Sequence, residues 1–317
     1  MAAEGGQNIV WLTYTGREEI PRDATHIFVD AKVIPPYAFA EHRNIVEVIC
    51  HKRVKKIDEG AFAKCRSLRR IIMPGVEIVE GSALEDCRAL TDVECGKLEI
   101  IKEWAFCDCK SLEKINLQSA RIIQGAAFIG CDALADVKFS IKLERIEESA
   151  FLNCFSLERI TIPLKAGIIT ARDIFQACKQ LKHVDLVEGA VLQETVAALQ
   201  LEYWRKDMNE EIDSINQILP NACPGYYDDE DYGDDDGEKA RAIRRWIRSV
   251  IGKINHFKAE HQHILDEAAT TLQCTLPHEI VTNNVLAFLE LPAQTFERAN
   301  QEMEEDHIDE EEDDADV

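Results

Sequence analysis

Apolar residues in this chain fall into columns. An anchor stands at Phe39, Phe62, Leu84, Phe106, Phe128, Phe151 and Phe175, at intervals of 22 to 24 residues. Three positions later comes Cys65, Cys87, Cys109, Cys131, Cys154 or Cys178, with His42 in that place in the first copy. Six positions after each anchor stand Ile45, Leu68, Leu90, Leu112, Leu134, Leu157 and Leu181. One such unit is too short to bury an apolar face alone, so it must stack on copies of itself. A fixed period in this range therefore predicts a solenoid.

Further columns place the strands. Position nine after the anchor reads Val48, Ile71, Val93, Ile115, Val137, Ile160, Val184, and position eleven reads Cys50, Met73, Cys95, Leu117, Phe139, Ile162, Leu186. The step of two is that of a strand with alternate residues inside. Pro74, Gly96 and Pro163 then turn the chain off the strand. A second apolar pair (Ile78 and Val79, Ile100 and Ile101, Ile122 and Ile123) precedes the next anchor. Each repeat thus supplies one strand of a parallel sheet and a short return segment, with Phe and Cys packed between turns.

The outward strand positions are where a partner would dock. Position eight reads Glu47, Arg70, Asp92, Lys114, Asp136, Arg159, His183, and its sign alternates through six consecutive rungs. Rungs lie ~4.8 Å apart in a sheet, so each charge faces an opposite one. The simpler reading is a self-neutralising ladder that holds register, the sharper one a charged recognition stripe. Position ten reads Ile49, Ile72, Glu94, Asn116, Lys138, Thr161, Asp185, without a pattern and with two isoleucines in the open. Irregular side chains on a regular frame suit partner-specific contacts, so this column is the expected interaction surface. Ordinary surface drift would look the same.

The stretches Gly60-Ala61-Phe62-Ala63-Lys64-Cys65 and Ala150-Phe151-Leu152-Asn153-Cys154 through Ile160-Thr161-Ile162-Pro163 resemble the BspA-like class of leucine-rich repeats. The resemblance covers about residues 25 to 192 and implies an α/β solenoid: a BspA-like leucine-rich repeat stack with a parallel β-sheet. It implies a recognition scaffold but no particular partner. Leu84 departs from the pattern, as a smaller filler in the third copy. The expected organisation is a terminal cap over 1–34, which includes the run Ile9 to Tyr14 with Ile27 and Val29, and about seven repeats over 35–192.

After Leu192 the period changes. Leu192, Val196, Leu199, Tyr203, Met208, Ile212, Ile215 and Leu219 follow helical spacing up to Pro220. A heptad-like run over about 237–272 reads Ile243, Ile247, Val250, Ile254, Phe257, His261, Ile264, Ala268. At 1.5 Å per residue these helices would be ~42 Å and ~50 Å long, and pair as an all-α antiparallel hairpin or in an intermolecular bundle. The expected helical region is 193–292, with an acidic loop at 226–238. Lys239, Arg241, Arg244, Arg245, Arg248 and Lys253 gather at the start of the second helix, beside carboxylates that would compensate or shield them. A short third helix is expected over Leu276 to Pro292. Its wording is similar to the start of an F-box, which implies a ubiquitin-ligase adaptor. Residues 293–317 read as a disordered acidic tail.

Charge and cysteine usage narrow the function. Net charge is −23, of which residues 228–238 hold eight acidic groups and 302–317 eleven, so −23 + 19 leaves −4 for the rest. Nucleic acid is not an expected partner, since phosphate contacts need clustered Lys and Arg. Six of the eleven cysteines share one repeat position, as small buried residues do. With no secretory signal and no apolar run of ~18 residues, the expected place is inside the cell, cytoplasmic or nuclear, without membrane insertion. No phosphate loop, dinucleotide fingerprint, zinc-protease helix or serine elbow is present, so no catalysis, cofactor or metal is expected. His256, His261 and His263 lack metal-ligand spacing, and His261 takes a core position of the heptad. The leading expectation is a non-enzymatic scaffold for a protein partner. The alternatives are the ligase adaptor and a surface adhesion protein.

Overall fold

The structure, a computed structural model, describes residues 9–187, 202–222 and 238–273. The chain divides into two compact units. The first holds the repeats to Val187, except Leu164–Gly167, together with Ile218–Ala242; the second holds Leu164–Gly167, Glu188–Gln217 and the residues from Ile243 on.

The first unit is a parallel solenoid with two sheet-bearing faces. One face carries the strands Trp11–Tyr14, His26–Val29, Glu47–Cys50, Arg70–Met73, Asp92–Cys95 and Lys114–Ile115 as one six-stranded sheet. Asp136–Lys138, Arg159–Ile162 and His183–Leu186 continue it as a separate three-stranded sheet. The return segments form the second face: Val33–Ile34, Lys56–Ile57, Ile78–Val79, Ile100–Ile101, Ile122–Ile123 and Arg145–Ile146. Only the second member of each return pair is buried, and Ile78, Ile100 and Ile122 stand half-buried in register on the outside. The segment read as a cap supplies two further rungs of the main sheet, paired in strict register with the first repeat.

Between the faces runs the core. Phe39 and Phe62 stack at 4.9 Å, and Phe106, Phe128, Phe151 and Phe175 continue the column at 5.2, 5.3 and 5.9 Å. Leu84 interrupts the rings. Tyr14 closes the column edge-on against Phe39 at 4.9 Å. Each ladder thiol donates a weak hydrogen bond to the anchor carbonyl one coil back: Cys65 to Phe39, Cys87 to Phe62, Cys109 to Leu84, Cys131 to Phe106, Cys154 to Phe128 and Cys178 to Phe151. His42, in the first copy, departs from this pattern and makes an exposed hydrogen bond to the Pro21 carbonyl at 2.9 Å. The column therefore needs a small apolar side chain with one donor, which is what a buried thiol offers.

At the C-terminal side the first turn of the long helix reaches the last described coil. Lys239 is buried, and its Nζ donates to the carbonyls of Cys178 at 2.7 Å and Leu181 at 2.8 Å. The basic run read from the sequence thus loses its first member to the fold. Lys239→Met should leave two buried acceptors unpaired and destabilise the last coil by roughly 1–3 kcal/mol. Hydrogen exchange checks it: the amides of Lys182, His183 and Val187, which bond to the preceding coil, should exchange faster, with the central coils unchanged.

The second unit contains α1 (Glu202–Ile218) and α2 (Glu238–Gln273), which enters it from Ile243 on. Their contacts run in opposite order, so the pair is antiparallel. Trp204 stacks on Phe257 at 5.3 Å and meets His261 edge-on at 6.3 Å. Further along, Trp246 Nε1 donates to the Glu211 carbonyl at 3.0 Å. Lys253 Nζ reaches Asp207 at 2.9 Å and Glu211 at 3.2 Å, so a second member of the basic run is neutralised across the pair. At 1.5 Å per residue the described helices are ~26 Å and ~54 Å long. The acidic loop, the third helix with its F-box-like wording, and the acidic tail lie outside the described residues.

Candidate interaction face

The main sheet turns its position-ten column outward, and the six-stranded part carries Thr13, Phe28, Ile49, Ile72 and Glu94 in continuous register. Phe28, Ile49 and Ile72 are half-buried neighbours, an apolar stripe across three rungs. Thr13 and Phe28 were missed from the sequence because their rungs lack the anchor motif. The alternation of buried Ile27 and Val29 around Phe28 was the available signal. Lys138, Thr161 and Asp185 lie in register on the three-stranded part, so the column is divided between two sheets.

The division begins at Asn116. Its Oδ1 accepts the Gln118 amide at 3.0 Å, a local turn that competes with the strand ladder. The strand stops after Ile115. The Gln118 side-chain amide then donates to the carbonyls of Lys138 at 3.1 Å and Phe139 at 3.3 Å, taking the place of ladder hydrogen bonds to the next rung.

Where the strand stops, the face opens into a shallow crevice of about 550 Å³ that runs from the second to the fourth repeat. Ile72 and Pro74 form one wall, Lys114 and Asn116 the other, with Asp92, Glu94 and Cys95 between. Val93, Cys95 and Ile115 at its floor are 4%, 8% and 8% exposed, against 0% for Ile71 and Val137 of the same inward set. The Cys95 thiol donates to the Asn116 carbonyl, and burial pushes its pKa up to about 11, so it is not a nucleophile at neutral pH.

Charges on this face pair diagonally as well as straight across. Arg70 lies 3.5 Å from Glu47 and 3.1 Å from Asp92, as the alternating column predicts, but its closest partner is Glu94 of the neighbouring column. Arg159 likewise holds Asp185 at 2.6 Å, and Lys138 meets Asp136 at 3.1 Å. The hydrogen bond to Glu94, followed by the pull of Asp92 and Glu47, holds the Arg70 pKa above its ordinary value despite the opposing effect of desolvation. The side chains are exposed, so pairing contributes little stability and leaves the carboxylates able to exchange partners. Among the described residues no group of three His, Cys, Asp or Glu is placed to hold a metal ion.

The stacked parallel coils and the Phe-Cys-Leu columns define a leucine-rich repeat solenoid. The BspA-type leucine-rich repeat region matches residues 32–122 and 99–196 in six copies, and the chain belongs to that family. A search of curated proteins finds no match. Among solved structures it is similar to a leucine-rich cell surface protein from Faecalibacterium prausnitzii, at 18% identity and TM-score 0.35, over 53% of this chain and 61% of that one. It is similar also to a leucine-rich repeat protein from Bacteroides ovatus, at 18% identity and TM-score 0.40, over 57% and 55% of the two chains. The leucine-rich repeat protein of T. pallidum is 19% identical with TM-score 0.39, over 61% of this chain and 88% of that one. The chain thus spans less than two thirds of the first two of these proteins.

Proposed function

We propose that this chain is a non-enzymatic scaffold that binds a protein partner on the outward face of its main sheet, with the crevice at Ile72, Glu94 and Asn116 as the centre. The observation that carries this reading is the opening of an otherwise closed sheet beside an apolar stripe. Phe28, Ile49 and Ile72 supply apolar area, and the carboxylates held by Arg70 supply exchangeable polar partners, the combination that recognition surfaces use. Lys138, Thr161 and Asp185 would extend the contact onto the second sheet. The nine described cysteines are free thiols, which fits a reducing intracellular compartment. No described helix is long and apolar enough to cross a membrane.

A photo-activated cross-linker at Asn116, compared with one at Gln124 on the return face, tests the proposal in native extract. A partner should be captured from Asn116 and lost when Ile72→Asp is added, with the melting temperature nearly unchanged. Capture from Gln124 alone, or capture insensitive to Ile72→Asp, would reject this face. Co-purification with a ligase linker subunit through residues 276–292 would instead support the adaptor reading, and native disulfides the adhesion reading.

A further inference from the structure

The main sheet ends on the strand Trp11–Tyr14, which pairs with His26–Val29 and, among the described residues, with nothing beyond it. The carbonyls of Val10 and Tyr14 accept from the amides of His26 and Asp30. By the alternation of a strand, the peptide groups of Leu12 face the same neighbour, and those of Trp11 and Thr13 point to the open edge. Folded proteins usually guard such an edge with a Lys, a Pro or a bulge. Here the run from Ile9 to Gly16 holds no charge and no Pro. Ile9 and Trp11 are 64% and 52% exposed.

We infer that this edge pairs, antiparallel, with the same edge of a second copy of the chain, about a two-fold axis at Leu12. The register is self-complementary. Trp11 of one copy faces Thr13 of the other, and because both point their peptide groups outward, each such pair exchanges two backbone hydrogen bonds. Leu12 faces Leu12 in the closer position that makes none. No charges are opposed, and the inward residues Val10, Leu12 and Tyr14 of the two copies join the two cores end to end. A two-fold pairing uses up the edge that each copy offers. Association therefore stops at a closed pair of like ends.

Sedimentation equilibrium of the full chain in reducing buffer, over a range of micromolar concentrations, should show a monomer–dimer equilibrium. Thr13→Pro removes one edge donor per copy and should weaken it at least about tenfold; Trp11→Lys should do likewise should the proline variant fold poorly. Circular dichroism of the dilute monomers should be unchanged. Leu12→Cys should give a covalent dimer under diamide, above the background of the parent chain, whereas Trp11→Cys should not. A monomer at every concentration, or a dimer indifferent to both edge variants, overturns the inference. So does a dimer in which Leu12→Cys fails to cross-link.

Discussion

Phe106→Ala is expected to destabilise the solenoid by about 3 to 5 kcal/mol, the range for deleting a buried ring from a packed core. Phe106 has no exposed surface and stacks on Phe128 at 5.2 Å with the rings nearly parallel. The coil before it supplies Leu84 rather than a ring, so no aromatic neighbour on that side can slide into the gap. Stability in a repeat array is a sum of coil terms and nearest-neighbour interfaces. The loss therefore falls on the two interfaces of the fourth coil, in the middle of the stack. Urea denaturation followed by circular dichroism should show an earlier midpoint. Should the weakened interface uncouple the two halves, the transition also broadens, with a smaller apparent m-value. Asn116→Ala, ten residues on at an exposed position, should change stability by less than about 0.5 kcal/mol. Equal effects from the two substitutions would contradict the inward placement of the anchor column.

Much of this architecture is legible in the chain because a stack repeats its own chemistry. Phe62, Cys65, Leu68, Ile71 and Met73 recur at fixed offsets, and each offset maps to one position facing the interior. The register of the position-eight charges follows from the same arithmetic, and Glu47, Arg70, Asp92 and Lys114 are indeed consecutive partners across the sheet. What the periodicity does not carry is which carboxylate a long guanidinium chooses. Arg70 and Arg159 reach sideways to Glu94 and Asp185 because a flexible side chain on a face with ~4.8 Å rungs has diagonal partners within range. The opening at Asn116 is hidden for a related reason. Ile115 and Leu117 keep the apolar columns intact, and only the short amide of Asn116 beside Gln118 departs from strand chemistry. Lys239 was unreadable on different grounds. In sequence it heads a basic run, and its burial depends on the carbonyls of Cys178 and Leu181, about sixty residues earlier in the chain.

A steep alkaline unfolding transition should follow from the cysteines of the solenoid. Burial is the leading cause that raises the thiols: Cys50, Cys65 and Cys107 to about 12 and Cys95 to about 11, with Cys87, Cys109, Cys131 and Cys154 also raised. In the unfolded chain a thiol ionises near pH ~8.5. A folded-state pKa above the unfolded one means that the stabilisation is complete below pH ~8.5 and is lost as the pH rises toward the folded values. In that interval the unfolded chain alone releases the protons. Each thiol then removes roughly 1.4 kcal/mol per pH unit, and eight together about 11 kcal/mol per unit. A domain stable by about 5–15 kcal/mol cannot withstand much more than one such unit, so unfolding should fall between roughly pH 9 and 10. Groups that titrate alike in both states cancel. In reducing buffer, the thiolate absorbance of these eight should therefore rise together with the loss of far-ultraviolet circular dichroism, in one cooperative step. Replacing Cys87 and Cys131 by Ala together should flatten the pH dependence by about a quarter, two thiols of the eight, even though the two cavities lower stability at neutral pH. Thiolate absorbance beyond what the other three of the eleven cysteines can supply, climbing near pH ~9 while the dichroism stays native, would mean that these eight thiols ionise inside the fold, and would refute the buried stack on which this expectation rests.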